Sequence, residues 1–157
     1  MIIIRPPLKS EADAVVELAR LYAAETLPHL DFDAAVAHRT FQRYLNGTGP
    51  ALLVAEGPGR VLVGFVTAQF YDYAFTSGHL VGQEVFFVHP DHRDGVAASA
   101  LVKAYDELAT RANPRESYAL VASGPGGEGI GELFEQLGYA PAGVLLRRVL
   151  QPATKGS

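Results

Sequence analysis

The run Phe86-Phe87-Val88-His89-Pro90-Asp91-His92-Arg93-Asp94-Gly95-Val96-Ala97-Ala98-Ser99-Ala100-Leu101 holds the densest chemical signal in the chain. An apolar, strand-like stretch meets a proline, passes through a tight loop with Arg and Gly, and enters a helix whose first turn carries very small side chains. The first N–H groups of a helix lack intrahelical acceptors, and small side chains let an anion approach them. Such a loop builds a backbone anion site, and a diphosphate is the ligand it suits.

Other chemical signals are weaker. Gly124-Pro125-Gly126-Gly127-Glu128-Gly129 fits the G-x-G-x-x-G of a dinucleotide site, but only residues 130 to 157 follow it. That leaves no room for the rest of a nucleotide-binding half-sheet, so a loop at a cleft rim is expected instead. His89 and His92 flank Pro90, yet the carboxylates near them, Asp91 and Asp94, share their loop, and no metal is expected there. The chain has no cysteine, which excludes a disulfide framework and a cysteine nucleophile. It has neither a Gly-Lys-Ser/Thr phosphate loop nor a Gly-x-Ser-x-Gly elbow, which disfavours ATP hydrolysis and serine hydrolase chemistry.

These residues must be positioned by a chain of 157 residues, 48% of them hydrophobic, enough for one core. A single domain over 1–150 is expected, with 151–157 as a flexible tail. A net charge of -4 argues against a broad phosphate-neutralising surface, so nucleic acid is disfavoured as a partner and a basic acceptor is easier to hold. Met1 to Pro7 is too short an apolar start for a signal peptide or a span, so a cytoplasmic location without a membrane partner is expected.

Periodicity gives the elements. A strand is expected at Ile2 to Arg5, then a helix to about Ala24 capped by Ser10 and Asp13, with Val15, Leu18, Ala19 and Tyr22 buried. A second helix runs from about Asp33 to Leu45 with Val36, Phe41 and Tyr44 apolar. Ala51 to Glu56 and Val61 to Tyr71 form a hairpin around Gly57-Pro58-Gly59-Arg60, and His79 to His89 is a third strand. A helix over 97–112, a strand from Tyr118 to Ala122, a short helix ended by Gly138 and a last strand from Val144 to Leu150 complete the order β-α-α-β-β-β-α-β-α-β. The fold class is α/β (α+β), a mixed, mainly antiparallel central sheet flanked by helices.

The Val88-to-Ser99 segment resembles the acetyl-CoA-binding motif of the Gcn5-related N-acetyltransferases, where a strand ending Val-x-Pro leads through Arg-x-x-Gly-x-Gly/Ala into a helix. Leu133-Phe134-Glu135-Gln136-Leu137-Gly138-Tyr139 resembles that family's Tyr-Glu-x-Leu-Gly-Phe, and the order of elements agrees over roughly residues 2 to 150. The resemblance implies acetyl-CoA as acetyl donor, with the backbone of Phe87 and Val88 pairing with the pantetheine arm. It implies that Arg93, Asp94, Gly95, Val96, Ala97, Ala98 and Ser99 hold the pyrophosphate. The cleft would open where the strand ending at Val88 splays from the strand at Tyr118. The sequence departs from the pattern at Val96 (family Gly), at Gly127 (family Asn) and at Phe134, expected to contact the cofactor at the position where a Tyr often protonates the departing thiolate.

Acetyl transfer to an amine needs a base for an ammonium whose pKa is about 10. Glu84, on the strand of the pantetheine contacts, is the expected catalytic base, and strand alternation would place it on one face with Phe86 and Val88. A backbone N–H near Val88 would meet the oxyanion. The bland alternative for Glu84 is a strand-edge carboxylate paired with an Arg or a helix start. Glu25 is a second candidate base, more simply read as a solvated helix end. Tyr71, Tyr73, Phe75 and His79 are read as strand-end packing or as an acceptor pocket, and Tyr139 and Ser123 as replacement acids. The resulting expectation is an N-acetyltransferase acting on a primary amine by direct attack. Its rivals are a non-catalytic CoA-sensing or protein-interaction module, and a phage or mobile-element relative with an unusual acceptor. A homodimer is left open, with the final strand as a pairing edge.

Overall fold

The computed structural model describes residues 1–122, 126–151 and 154. Strand β1 (Ile3–Arg5) is followed by helices α1 (Ala12–Thr26) and α2 (Ala34–Leu45). Strands β2 (Ala51–Glu56), β3 (Leu62–Asp72), β4 (His79–Gln83) and β5 (Phe86–Val88) lead into helix α3 (Ala97–Arg111). Strand β6 (Glu116–Ala119) and helix α4 (Gly127–Gln136) come last.

The sheet runs β1-β2-β3-β4-β6, with β5 pairing β3 beyond the end of β4. Every pairing is antiparallel except β4 with β6, the product of the α3 crossover. The sheet separates two cores. Val66, Val81 and Val88 pack with Leu101, Tyr105 and Phe134 on the α3 side. Phe65, Phe87 and Val54 pack with Val15, Leu18 and Phe41 on the α1–α2 side.

Local chemistry explains most boundaries. The carboxylate of Asp33 accepts from the N–H of Val36 at 3.1 Å and starts α2, satisfying one of its free donors. The expected cap of α1 by Ser10 and Asp13 does not form. Glu11 stands at the N-cap position without a side-chain bond to the helix; its Oε2 accepts from Leu8 N–H at 2.7 Å, and it is gripped by Arg5, which also holds Glu56. One guanidinium thus ties β1, the start of α1 and β2 together.

The single strand expected from His79 to His89 is two strands with a bulge between them. Gln69 faces Gly82, but Val66 faces Phe86, so four steps on one side match three on the other. The extra residue falls at Glu84–Val85, where Thr67 N–H reaches Val85 O at 3.0 Å and Thr67 Oγ1 accepts from Val85 N–H at 3.3 Å. The bulge sets Glu84 and Val85 together on the face of Gln69 and Thr67, so Glu84 does not share a face with Phe86 and Val88 as alternation predicts. Phe86 and Val88 pack with the α3 core, whereas Val85 and Phe87 pack with the α1–α2 core.

The strand expected at Tyr118 to Ala122 lies earlier, at Glu116–Ala119, because it stops where β4 does: the last backbone bond across the pair is Leu120 N–H to Gln83 O at 2.9 Å. The closing strand expected at Val144 to Leu150 does not form. These residues pair with no strand, and their apolar side chains are exposed. The tail expected at 151–157 lies outside the described residues apart from Gln151 and Thr154. Thr154 is held, its N–H and hydroxyl donating to the Asp31 carboxylate at 3.0 and 2.9 Å.

Candidate active site

Beyond Gln83 and Leu120 the sheet opens. Strand β5 follows β3 alone, and β6 has no partner for its continuation. A pocket of about 620 Å³ fills the gap. Its walls are Phe86 to Val88, Leu120 to Ala122, the loop Arg93 to Gly95 with Ala98 and Ser99, the start of α4, and Glu25 and Glu84.

The β5 wall offers backbone. His89 N–H donates to Val63 O, and Val85 O accepts from Thr67 N–H, so residues 85, 87 and 89 face β3. Alternation then turns the peptide groups of Phe86 and Val88 toward the pocket. The resemblance implied Phe87 and Val88; parity favours Phe86 in place of Phe87. Phe87 instead buries its ring against Tyr22 and Phe65.

The helix wall offers N–H donors. Val96 is the cap of α3 (φ -87, ψ 0), 63% exposed, its side chain outside the pocket lining. Its carbonyl accepts from Ala100 N–H and the Ser99 hydroxyl, both at 3.0 Å. The first-turn N–H groups of Ala97, Ala98 and Ser99 have no intrahelical acceptor by the geometry of a helix start. Ala97 itself is buried in the core, and its side chain only lets the helix lie close to the sheet.

Arg93 is engaged. Its Nε donates to Val88 O at 3.0 Å, its Nη2 to Glu25 Oε2 at 2.6 Å, and its guanidinium lies 5.6 Å from the Phe87 ring centroid. These two bonds to separate acceptors fix the loop on β5 and α1. Glu25 is therefore an ion-pair partner rather than a free base.

Glu84 faces the pocket with both oxygens occupied. Tyr71 Oη donates to Oε1 at 2.6 Å, Tyr118 Oη donates to Oε1 at 3.0 Å, and Gln69 Nε2 donates to Oε2 at 3.0 Å. The Glu84 carboxylate holds the Tyr71 phenol well above the ordinary tyrosine range; burial, then Glu84, raises that of Tyr118. Both phenols stay protonated at neutral pH and orient the carboxylate. Sequence reasoning missed Tyr118 and Gln69. The signal was Gly82, a glycine inside a strand: a Cβ there would lie 2.3 Å from the Tyr118 ring, so only glycine lets that ring cross β4 to Glu84.

The remaining expected residues are elsewhere. Phe134 is 2% exposed, wedged edge-on between Tyr105 and Tyr139, and does not line the pocket. Tyr139 donates to Asp106 Oδ1 at 3.0 Å and sits 2.9 Å from the Ser117 hydroxyl in the same core, its phenol pushed up to about 12 chiefly by burial. Ser123 lies outside the described residues. Of the four aromatic-loop residues only Tyr71 reaches Glu84; Phe75 is fully exposed and His79 Nε2 binds Ala112 O. His89 and His92 stack edge-on at 5.9 Å, and no metal-binding cluster of three exists among the described residues. Gly127 explains one departure from the family pattern: any Cβ there would fall 2.0 Å from Ala122 O, so an Asn does not fit this loop.

The chain has the fold of the Gcn5-related N-acetyltransferases. The aminoglycoside N-acetyltransferase AAC(6')-Iy, solved with a CoA-linked bisubstrate analogue, matches with a TM-score of 0.73 and 21% identity over 94% of this chain and 97% of that one. The ribosomal-protein-alanine N-acetyltransferase of Brucella melitensis biovar Abortus 2308 matches at 0.72 and 23%, over 94% and 99%. A transcriptional regulator from Bacillus halodurans C-125 matches at 0.75 and 18%, over 94% and 99%. No protein-family model and no curated protein matches the chain. Among the described residues no helix is long and apolar enough to cross a membrane.

Proposed function

We propose that the protein transfers the acetyl group of acetyl-CoA to a primary amine by direct attack. The observation that carries this reading is Glu84, a carboxylate oriented by two phenols and an amide at a pocket walled by an open strand edge and a helix start. The donor set fits an acyl-CoA: the peptide group of Phe86 for an amide-bearing arm, first-turn N–H groups of α3 for a diphosphate, and small side chains at Gly95 and Ala98 between. Bound there, acetyl-CoA would supply the thioester.

In this reading the amine nitrogen bonds to the thioester carbon while the carbon–sulfur bond breaks. The Val88 N–H meets the oxyanion. Glu84 takes the proton from nitrogen, and the Tyr118 phenol hydrogen-bonded to it completes a relay to the thiolate. The chain has no cysteine to carry the acetyl group, which favours direct transfer, and positioning supplies several kcal/mol. The solved neighbours named as N-acetyltransferases support this reading at the level of the fold.

The test is release of CoA thiol over a panel of amines. Glu84→Gln should lower kcat by about 10²-fold or more with KM for acetyl-CoA little changed; an unchanged kcat would remove Glu84 from the chemistry. A second reading, a CoA-sensing module without turnover, is favoured by the burial of Phe134 away from the pocket and by the regulator neighbour. It predicts CoA binding by calorimetry with no amine acetylated.

A further inference from the structure

Helix α3 touches the backbone of the sheet through one buried hydroxyl. Tyr105, fully buried, donates to Tyr118 O at 2.7 Å and lies 3.3 Å from Val81 O, so one phenol spans the two strands of the parallel pair. The Ser117 hydroxyl stands 3.1 Å from Tyr105 Oη and 2.9 Å from Tyr139 Oη, and Tyr139 in turn donates to Asp106 of α3. The Phe134 ring meets Tyr105 edge-on at 5.9 Å. The phenol is thus held from β6, from α4 and from its own helix.

The pair it spans has little else to set its register. Strand β6 is four residues long, reads Glu-Ser-Tyr-Ala and has no partner on its outer side. Ladder bonds form in any register, so side chains must choose, and Ser117 and Ala119 offer little packing for the purpose. The observed register sets Ser117 opposite Val81 and Tyr118 opposite Gly82. Ser117 meets Tyr105 on the α3 face, so Tyr118 points to the other face, where its ring lies over Gly82 and its hydroxyl reaches Glu84 Oε1 at 3.0 Å. A slip of one residue would turn Tyr118 to the α3 face and take its phenol off the carboxylate. The Tyr105 hydroxyl meets Val81 O and Tyr118 O together only when that slip has not occurred.

We propose that Tyr105 is a positioning residue for the candidate base: its hydroxyl fixes the register of β6 on β4 from the α3 face, and through that register it holds the Tyr118 phenol on Glu84 across the sheet. Tyr105 does not line the pocket, and its effect passes through Tyr118. The consequence for turnover rests on the acetyl-transfer reading; the consequence for Tyr118 does not.

The test is Tyr105→Phe, which keeps the ring against Phe134 and removes the hydroxyl. A second variant, with 4-fluorophenylalanine in place of Tyr105, fills the vacated space without a donor. The first reading is the ultraviolet titration of Tyr118, isolated by subtracting the same protein carrying Tyr118→Phe. Burial and the Glu84 carboxylate raise that phenol in the unaltered chain, with Tyr71 the other titratable group beside it. Both variants should bring it down toward the ordinary tyrosine value of 10.0. The second reading is turnover: kcat should fall about tenfold or more with KM for acetyl-CoA little changed. Tyr139→Phe removes a buried hydroxyl from the same cluster but touches neither carbonyl, and it should leave the Tyr118 titration where it was. Tyr118 titrating in both variants as in the unaltered chain, or unchanged turnover beside a lowered Tyr118, would overturn the proposal. An equal shift in Tyr139→Phe would overturn it too, since general loosening of the core would then explain the effect. A lowered Tyr118 with no amine acetylated by any form, the unaltered chain included, would sustain the register role and defeat the acetyl-transfer reading. If Tyr105→Phe fails to fold, the 4-fluorophenylalanine form decides.

Discussion

The half of the sheet from β1 to β4 and the part that follows α3 are built to different standards. In the first, both faces are covered: Val54, Val63, Val66 and Val81 are sealed between α1–α2 on one side and α3 on the other. In the second, β6 has a bare edge, Leu120 and Val121 meet solvent, and 144–150 packs on little. The contrast teaches that stability and the pocket draw on separate regions, since the pocket lies where the first stops and the second begins.

Truncation should expose that contrast. Leu101→Ala, fully buried in the α3 core, should cost about 2–5 kcal/mol in chemical denaturation. Gly82→Ala is next: its Cβ meets the Tyr118 ring, so overpacking of about 1–3 kcal/mol and a displaced Tyr118 are expected. Read by CoA release, that variant should lose kcat beyond what its denaturation midpoint explains; unchanged turnover would make Tyr118 a bystander. The Tyr139 phenol gives a pH signature of the region after α3. Its folded value of about 12 stands above the ordinary 10.0, so its contribution to stability is complete below pH 10 and fades as pH climbs toward 12. Tyr139→Phe should flatten that alkaline decline. Smallest is Leu145→Ala, expected within about 0.5 kcal/mol when measured in dilute solution. A loss there as large as that of Leu101→Ala would erase the distinction between the two regions.

The first half was the more legible in the sequence, for the same physical reason. Asp33 before an apolar stripe, the Gly57-Pro58-Gly59 turn and the spacing of Leu101, Val102 and Tyr105 are local signals, and local contacts decide those elements. The Val88-to-Ser99 loop was legible because strand, proline and small-residue helix start follow one another directly. The bulge at Glu84–Val85 was not, since neither residue is a turn former and the extra step exists only relative to β3. The Tyr118–Glu84 bond depended on which residue of β6 would sit beside Gly82, a register that no local pattern encodes. The last strand, expected at Val144 to Leu150 from its strand-forming residues, does not form, because a strand also needs an edge to pair with and composition does not show one.

The bulge has one more consequence, for what the chain tolerates in length. Deleting Val85 would restore a continuous ladder from His79 to Val88 and move Glu84 out of the bulge into Val85's place opposite Thr67. Changing that position's identity would leave the extra step intact. The place of the Glu84 carboxylate is therefore set by a count of residues, and it is more vulnerable to a loss of one than to most replacements.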